Sequence, residues 1–164
     1  MKSLVGIGIS VGVLAGIWTQ VSIGLELVTW VAFVAWACFF AAGGGVLGLR
    51  KGLAANLSGV LWAWLASLLI TRVDFPGSVA VIVTVLAFVL CVQAAWAPLS
   101  FIPGAFAGTA VFFGTSFALW PTVIALVVGA LLGLASELLG ARIQSAVGGA
   151  GAVQAEPTAE ARPA

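Results

Sequence analysis

The sequence predicts an all-α, polytopic membrane protein of about six transmembrane helices, built as two inverted three-helix repeats with short or broken second and fifth spans. Three observations carry this reading. Of the 164 residues, 63% are hydrophobic and 7% charged, and mean hydropathy is +1.26. A soluble domain averages about 25% charged residues, so the chain has too little polar surface to face water. Four uncharged windows, Ser3–Leu25, Leu27–Leu49, Gly52–Thr71 and Gly77–Ser136, offer the ~20 apolar residues a spanning helix needs. Within the last, Trp96–Gly114 is apolar yet holds Pro98, Pro103 and Gly104, which do not fit one straight helix. Backbone groups freed at such a break must find protein or a water-filled cavity.

The first span is expected over Leu4–Trp18, followed by a polar link with Thr19, Gln20 and Ser22. No small-x-small cleavage site follows it, so it reads as a retained helix rather than a signal peptide. Gly8, Gly12 and Gly16 form one stripe along it, of the kind that lets membrane helices approach closely. The second span, Leu27–Ala42, ends in Gly43, Gly44 and Gly45. Arg50 and Lys51 form the next link, and the third span follows over Leu53–Ile70. The turn Thr71–Gly77 is the clearest punctuation in the chain. The fourth span is Ser78–Ala97, the fifth Leu99–Phe113 and the sixth Ala118–Leu139. Residues 1–147 make the membrane domain. From 148 to 164 the Gly, Ala, Pro and Glu composition predicts a disordered cytoplasmic tail.

Orientation follows the positive-inside rule. With the N-terminus inside, Lys2, Arg50, Lys51 and Arg142 are cytoplasmic and only Arg72 lies outside, beside Asp74. N-in, C-in is therefore expected. Trp18, Trp30 and Trp120 then mark the outer interface and Trp96 the inner one, while Trp36, Trp62 and Trp64 lie deeper.

Two matches suggest the repeat. Ala32-Phe33-Val34 recurs as Ala87-Phe88-Val89, and Gly59–Leu69 aligns with Gly129–Leu139. The spacing grows between them, so the second half would carry an insertion across the broken stretch. Three spans per repeat is an odd number, which requires opposite insertion of the halves. Paired interrupted segments in inverted halves point to a solute site near the midplane. Here they are Ala41–Gly48 and Pro98–Gly108.

Enzyme chemistry has no support. The chain has no histidine, which removes Ser-His and Cys-His dyads, and no carboxylates pair along one helix. The cluster Gly43–Gly45 lacks the pattern of a phosphate loop. Cys38 and Cys91 have no partner at ligand spacing and read as small packing residues, so no metal or other cofactor is expected. The six Lys and Arg are scattered, which leaves nucleic acid without a basic patch. Glu26 and Glu137 lie near span ends, and no charge is expected at depth, where a proton pump needs one.

The expectation is a passive channel or facilitator for a small neutral solute, urea- or amide-like. Its pathway residues would be Gly43, Gly44, Gly45, Asn56, Gln93, Ser100, Phe101, Pro103, Gly104, Phe106, Gly108 and Thr109. Asn56 and Gln93 supply polarity at depth; Phe39, Phe40, Phe101, Phe106, Phe112 and Phe113 are available for an apolar constriction. The other reading is a non-conducting scaffold or accessory subunit, binding a partner helix through glycine faces. Contact with membrane lipid and a homo-oligomer are expected in either case, because six short spans enclose little volume.

Three segments resemble the YcdZ-like bacterial inner-membrane proteins, a family of unknown function. They are Gly12–Trp18, Leu57–Ala63, and Cys91–Gln93 followed by Leu99–Gly108. That resemblance implies a small multi-pass inner-membrane protein and carries no activity. Phe101–Gly108 is also similar to the helix start of the urea-channel architecture, although the Asn-Pro-Leu box of that family is absent.

Overall fold

The computed structural model describes residues 2–153, with side chains placed over 4–146. Six α-helices follow one another: α1 (Lys2–Gly24), α2 (Thr29–Ala41), α3 (Gly45–Ile70), α4 (Ser78–Val92), α5 (Ile102–Gly114) and α6 (Leu119–Val153). Between α4 and α5 lie two single 3-10 turns, Gln93–Ala95 and Ala97–Leu99. Among the described residues, four segments are long and apolar enough to cross a membrane: Leu4–Gly24, Gly45–Ile70, Ser78–Ala95 and Leu119–Ala146. Helices α2 and α5 have 13 residues each, about 20 Å of rise against a hydrocarbon core of ~30 Å.

Several boundaries differ from those expected. Helix α1 runs through the polar link at Thr19–Ser22, because the hydroxyls turn back on its own backbone. Thr19 Oγ1 donates to the Ala15 carbonyl and Ser22 Oγ to that of Thr19, while Ser22 Oγ also shares a hydrogen bond with Thr29 Oγ1 at the start of α2. Arg50 and Lys51 are not a link either. They belong to α3, which starts at Gly45, and both are good helix formers. The fourth span stops at Val92 rather than Ala97, since Pro98 biases Ala97 and its surroundings away from a continuous helix. Pro103 is tolerated because it falls in the first turn of α5, where no intrahelical donor is needed. Helix α6 continues through 148–153, the start of the stretch expected as tail; residues 154–164 lie outside the described residues.

Helices α3 and α6 are the central pair. Helix α2 packs along α6, α5 along α3, α1 against the far side of α6, and α4 more loosely against α3. The Gly45 N–H meets Glu137, and Gly6 closely approaches Gly140. The starts of α1 and α3 therefore share one end of the bundle with the C-terminal part of α6. The core between the central helices holds Val60, Ala63, Val111, Phe112, Ala125 and Leu126.

Burial in the two halves follows one register. In α3 the buried positions over its length from Gly52 to Ala66 are Gly52, Ala55, Asn56, Gly59, Val60, Ala63 and Ala66; in α6 they are Thr122, Ala125, Leu126, Gly129, Ala130, Gly133 and Ser136. Each lies 70 residues after its counterpart. Helices α2 and α5 match likewise at a spacing of 73: Val31, Ala32, Ala35, Trp36, Cys38 and Phe39 against Gly104, Ala105, Gly108, Thr109, Val111 and Phe112. The crossings correspond too, since a Cβ on Gly59 would run into the Ala105 carbonyl and one on Gly129 into that of Ala32. Even the helix ends agree. The N–H groups of Gly43 and Gly44 return to Phe40 and Phe39, those of Ser116 and Phe117 to Phe113 and Phe112, one Schellman closure at each C-terminus. The likeness of Ala32–Val34 to Ala87–Val89 is therefore misleading. At that spacing buried Ala32 would fall on the half-buried Ala87, and buried Trp36 on the exposed Cys91. With α2 matched to α5, the large insertion disappears.

Candidate functional site

The first break joins α2 to α3. Gly43, Gly44 and Gly45 all have positive φ, of 106°, 68° and 58°, which favours residues without a Cβ. The chain reverses here under a specific cap: the Gly45 N–H donates to Glu137 Oε2 at 2.6 Å. A carboxylate at a helix N-terminus satisfies a free donor and complements the helix dipole. Gly44 is buried against the same carboxylate, so a side chain there would displace it.

The second break joins α4 to α5. The indole Nε1 of Trp62 donates to Gln93 Oε1 at 3.0 Å, which fixes the end of α4 beside the middle of α3. From there to Gly45, α3 descends seventeen residues, about 25 Å. No part of α4 covers this lower half. The segment 93–101 lies there instead, two single 3-10 turns joined at an extended Trp96, the second turn packed on α3. Trp96, Pro98 and Ser100 are exposed, and Gln93 Nε2 is a buried donor without a partner. Arg50 and Lys51 occupy the same lower half of α3, Arg50 exposed and Lys51 partly so.

Above the break, α5 meets α3 backbone to backbone. A Cβ on Gly108 would overlap the Asn56 carbonyl. Asn56 is 1% exposed; with its amide oriented by its surroundings, the NH2 donates to Gly52 O at 2.9 Å and Gly104 O at 3.2 Å. Thr109 Oγ1 donates to Gly59 O at 3.1 Å. The Phe101 ring lies against Gly104. Asn56, Phe101, Gly104, Gly108 and Thr109 are thus brought together at one crossing, and Gln93 and Ser100 lie on the segment leading to it. Pro103 and Phe106 face outward on α5. Gly43, Gly44 and Gly45 sit some eleven residues down α3 from Asn56, about 16 Å away by helix rise. Phe39 and Phe112 are fully buried in packing, Phe39 over Gly133 and Phe112 against Phe113 and Phe117.

Sequence reasoning missed Glu137 and Trp62. Glu137 looks like an ordinary span-end charge, and only the fold brings Gly45 to it. Trp62 carries a usable signal, a deep indole donor that needs an acceptor. Trp18 differs from its expected interfacial role: it is 5% exposed, and its Nε1 donates to the Thr29 carbonyl, tying α1 to α2.

A helical bundle with four membrane-length apolar segments, two short helices between them and its polar groups gathered at helix breaks is a polytopic membrane protein. Residues 8–141 match the family described as a protein of unknown function (DUF1097), and the chain belongs to that family. It is 35% identical to the uncharacterized protein YahC of Escherichia coli K12 over 158 residues, 89% of this chain and 96% of the relative. It is 38% identical to the inner membrane protein YcdZ of the same organism over 117 residues, 69% of this chain and 71% of YcdZ. YcdZ of Salmonella typhimurium is 34% identical over 117 residues, 69% and 72% of the two chains. No solved structure matches. The kinship expected from Gly12–Trp18, Leu57–Ala63, and Cys91–Gln93 followed by Leu99–Gly108 is shown, and the chain is a multi-pass protein of the bacterial inner membrane. The urea-channel likeness gains nothing from these relatives.

Proposed function

We propose that the protein is a passive facilitator for a small neutral solute, built from two inverted three-span halves with both termini cytoplasmic. The observation that carries this reading is the break at 93–101, two single 3-10 turns joined by an extended Trp96, which stands where the lower half of α4 would otherwise cover α3. Irregular backbone at membrane depth requires protein cover or water, and the exposed residues of this segment favour a water-filled vestibule. Arg50 and Lys51 fit the same picture, because charges on a spanning helix need water or a route to the interface. The vestibule ends at the Asn56–Gly104 crossing, and Gln93 Nε2 offers a free donor to a carbonyl-bearing solute on the way. The matched burial of α2 with α5 and of α3 with α6 supports the repeat. The shared end of α1, α3 and α6 carries Lys2, Arg50, Lys51 and Arg142, which supports a cytoplasmic placement of that end.

The test is stopped-flow light scattering on proteoliposomes with urea, formamide, glycerol and water. Faster equilibration of one solute is expected, lost in Ser100→Trp, where an exposed position is filled without disturbing the core. Empty-liposome rates for all four solutes, with inserted and folded protein, would reject the facilitator. One observation favours a second reading, a non-conducting subunit that binds a partner helix: positions 8, 12 and 16 on α1 have open space where a Cβ would stand. Gly12→Leu would then abolish partner capture and leave solute rates untouched.

A further inference from the structure

We propose that the groove between α3 and α4 is a phospholipid site, which takes one acyl chain of an anionic glycerophospholipid along its floor and the lipid phosphate at Arg72. The groove has a volume of about 620 Å³ and runs from Trp62 past Leu69, Ile82, Val85 and Val89 to Arg72. Arg72 is the one charged residue that lines it. The indole donor of Trp62 is already bonded to Gln93, so the deep end presents carbon only.

Its dimensions suit one leaflet. From Trp62 to Ile70, α3 rises about 12 Å, and the turn that follows carries Arg72, so the groove spans roughly half of the ~30 Å hydrocarbon thickness. An acyl chain lying there would place its phosphate level with Arg72. Arg72 is exposed and forms no ion pair among the described residues, although Asp74 is two residues away. A guanidinium is well suited to bind a phosphate through paired hydrogen bonds.

The corresponding place in the other half is closed. Arg142 stands 70 residues after Arg72, and there α1 fits closely onto α6. A Cβ on Gly6 would meet the Gly140 carbonyl at 2.8 Å, and Ser10 Oγ donates to the Ser136 carbonyl. Beyond Ser78 at its start, the residues α4 buries on this side are large, Ile82, Leu86 and Leu90, and they hold it away and leave the opening. The groove thus comes from α4's own sequence, and its charge selects an anionic occupant.

Native mass spectrometry of the full chain in mild detergent, titrated with phosphatidylglycerol and with phosphatidylcholine, tests this. One phosphatidylglycerol is expected to remain bound where phosphatidylcholine leaves. Arg72→Gln should weaken binding about fivefold, the effect of one basic residue near a charged headgroup. Val85→Trp, which fills the groove from an exposed position, should remove binding from chain that is still helical by circular dichroism. Arg142→Gln should bind as the parent does. Equal binding by Arg72→Gln, or equal losses in Arg72→Gln and Arg142→Gln, would overturn the proposal. So would a lipid-free dimer broken by Val85→Trp, which would give the groove to a second copy of the chain.

Discussion

Gly59 and Gly108 face carbonyls across the α3–α5 crossing, at Ala105 and Asn56. Backbone fills the space, so no rotamer can relieve an added side chain. Gly108→Val should therefore lower stability by about 1–3 kcal/mol or more, read as reduced thermal stability in detergent. Gly12→Val, where the Cβ position is open, should leave it nearly unchanged. The same spacing of glycines thus has opposite meanings on α5 and α1, and spacing alone does not separate them. Asn56 makes a second case. Its amide bonds two carbonyls, at Gly52 and Gly104, and Asn56→Leu should cost about 1–3 kcal/mol in the same measurement. The sequence marks Asn56 as a group needing partners at depth, but which helix supplies them depends on a crossing that no local pattern encodes.

The helix ends carry the argument at the next scale. Helices α2 and α5 close in the same way, yet Gly43 and Gly44 provide the left-handed residues in one and Ser116 and Phe117 in the other. A residue with a Cβ pays about 1 kcal/mol in that conformation. Ser116 is exposed, so Ser116→Gly should raise thermal stability by about that amount, and Gly43→Ala should lower it similarly. At the α3 start, Glu137→Ala removes the acceptor of the Gly45 N–H. A loss of about 0.5–2 kcal/mol is expected, with faster proteolysis or thiol labelling at the α2–α3 turn as a local readout. Helix positions are legible from the sequence because hydrophobic runs, Pro98 and the turn Thr71–Gly77 punctuate them. The start of α3 is not. Arg50 and Lys51 normally mark a span's end, and their place inside a helix depends on a carboxylate more than eighty residues away.

The whole molecule is organised by the shared register of its halves. That likeness is present in the sequence as Ala32, Phe33, Ala37, Phe39 and Phe40 against Ala105, Phe106, Ala110, Phe112 and Phe113. It is masked because Ala-Phe-Val also occurs at Ala87–Val89, and apolar residues recur by chance in so limited an alphabet. Burial decides between the two, since packing faces must coincide where structures do. If the halves are inverted, reporters placed in the turn Thr71–Gly77 and before Lys2 should lie on opposite sides of the membrane. A cysteine at Asp74 should react with an impermeant thiol reagent from outside, while one at Lys2 reacts only after permeabilisation. The candidate pathway is less legible than the fold. Glycine and proline show where helices break, but the standing-off of α4 from the lower half of α3 is a property of the assembled bundle.

The turn Thr71–Gly77 has a consequence beyond its role as a connector. The second and third helices of each half bury matching positions, and the principal contacts of α2 with α6 and of α3 with α5 run between the halves rather than within them. Neither half can satisfy its interior alone, but either can recognise the other without a covalent tether. Cut between Asp74 and Phe75 and produced as two separate peptides, the protein should reconstitute by complementation. Co-purification of an untagged second fragment with a tagged first one would measure this, and Gly59→Leu at the fragment interface should abolish it.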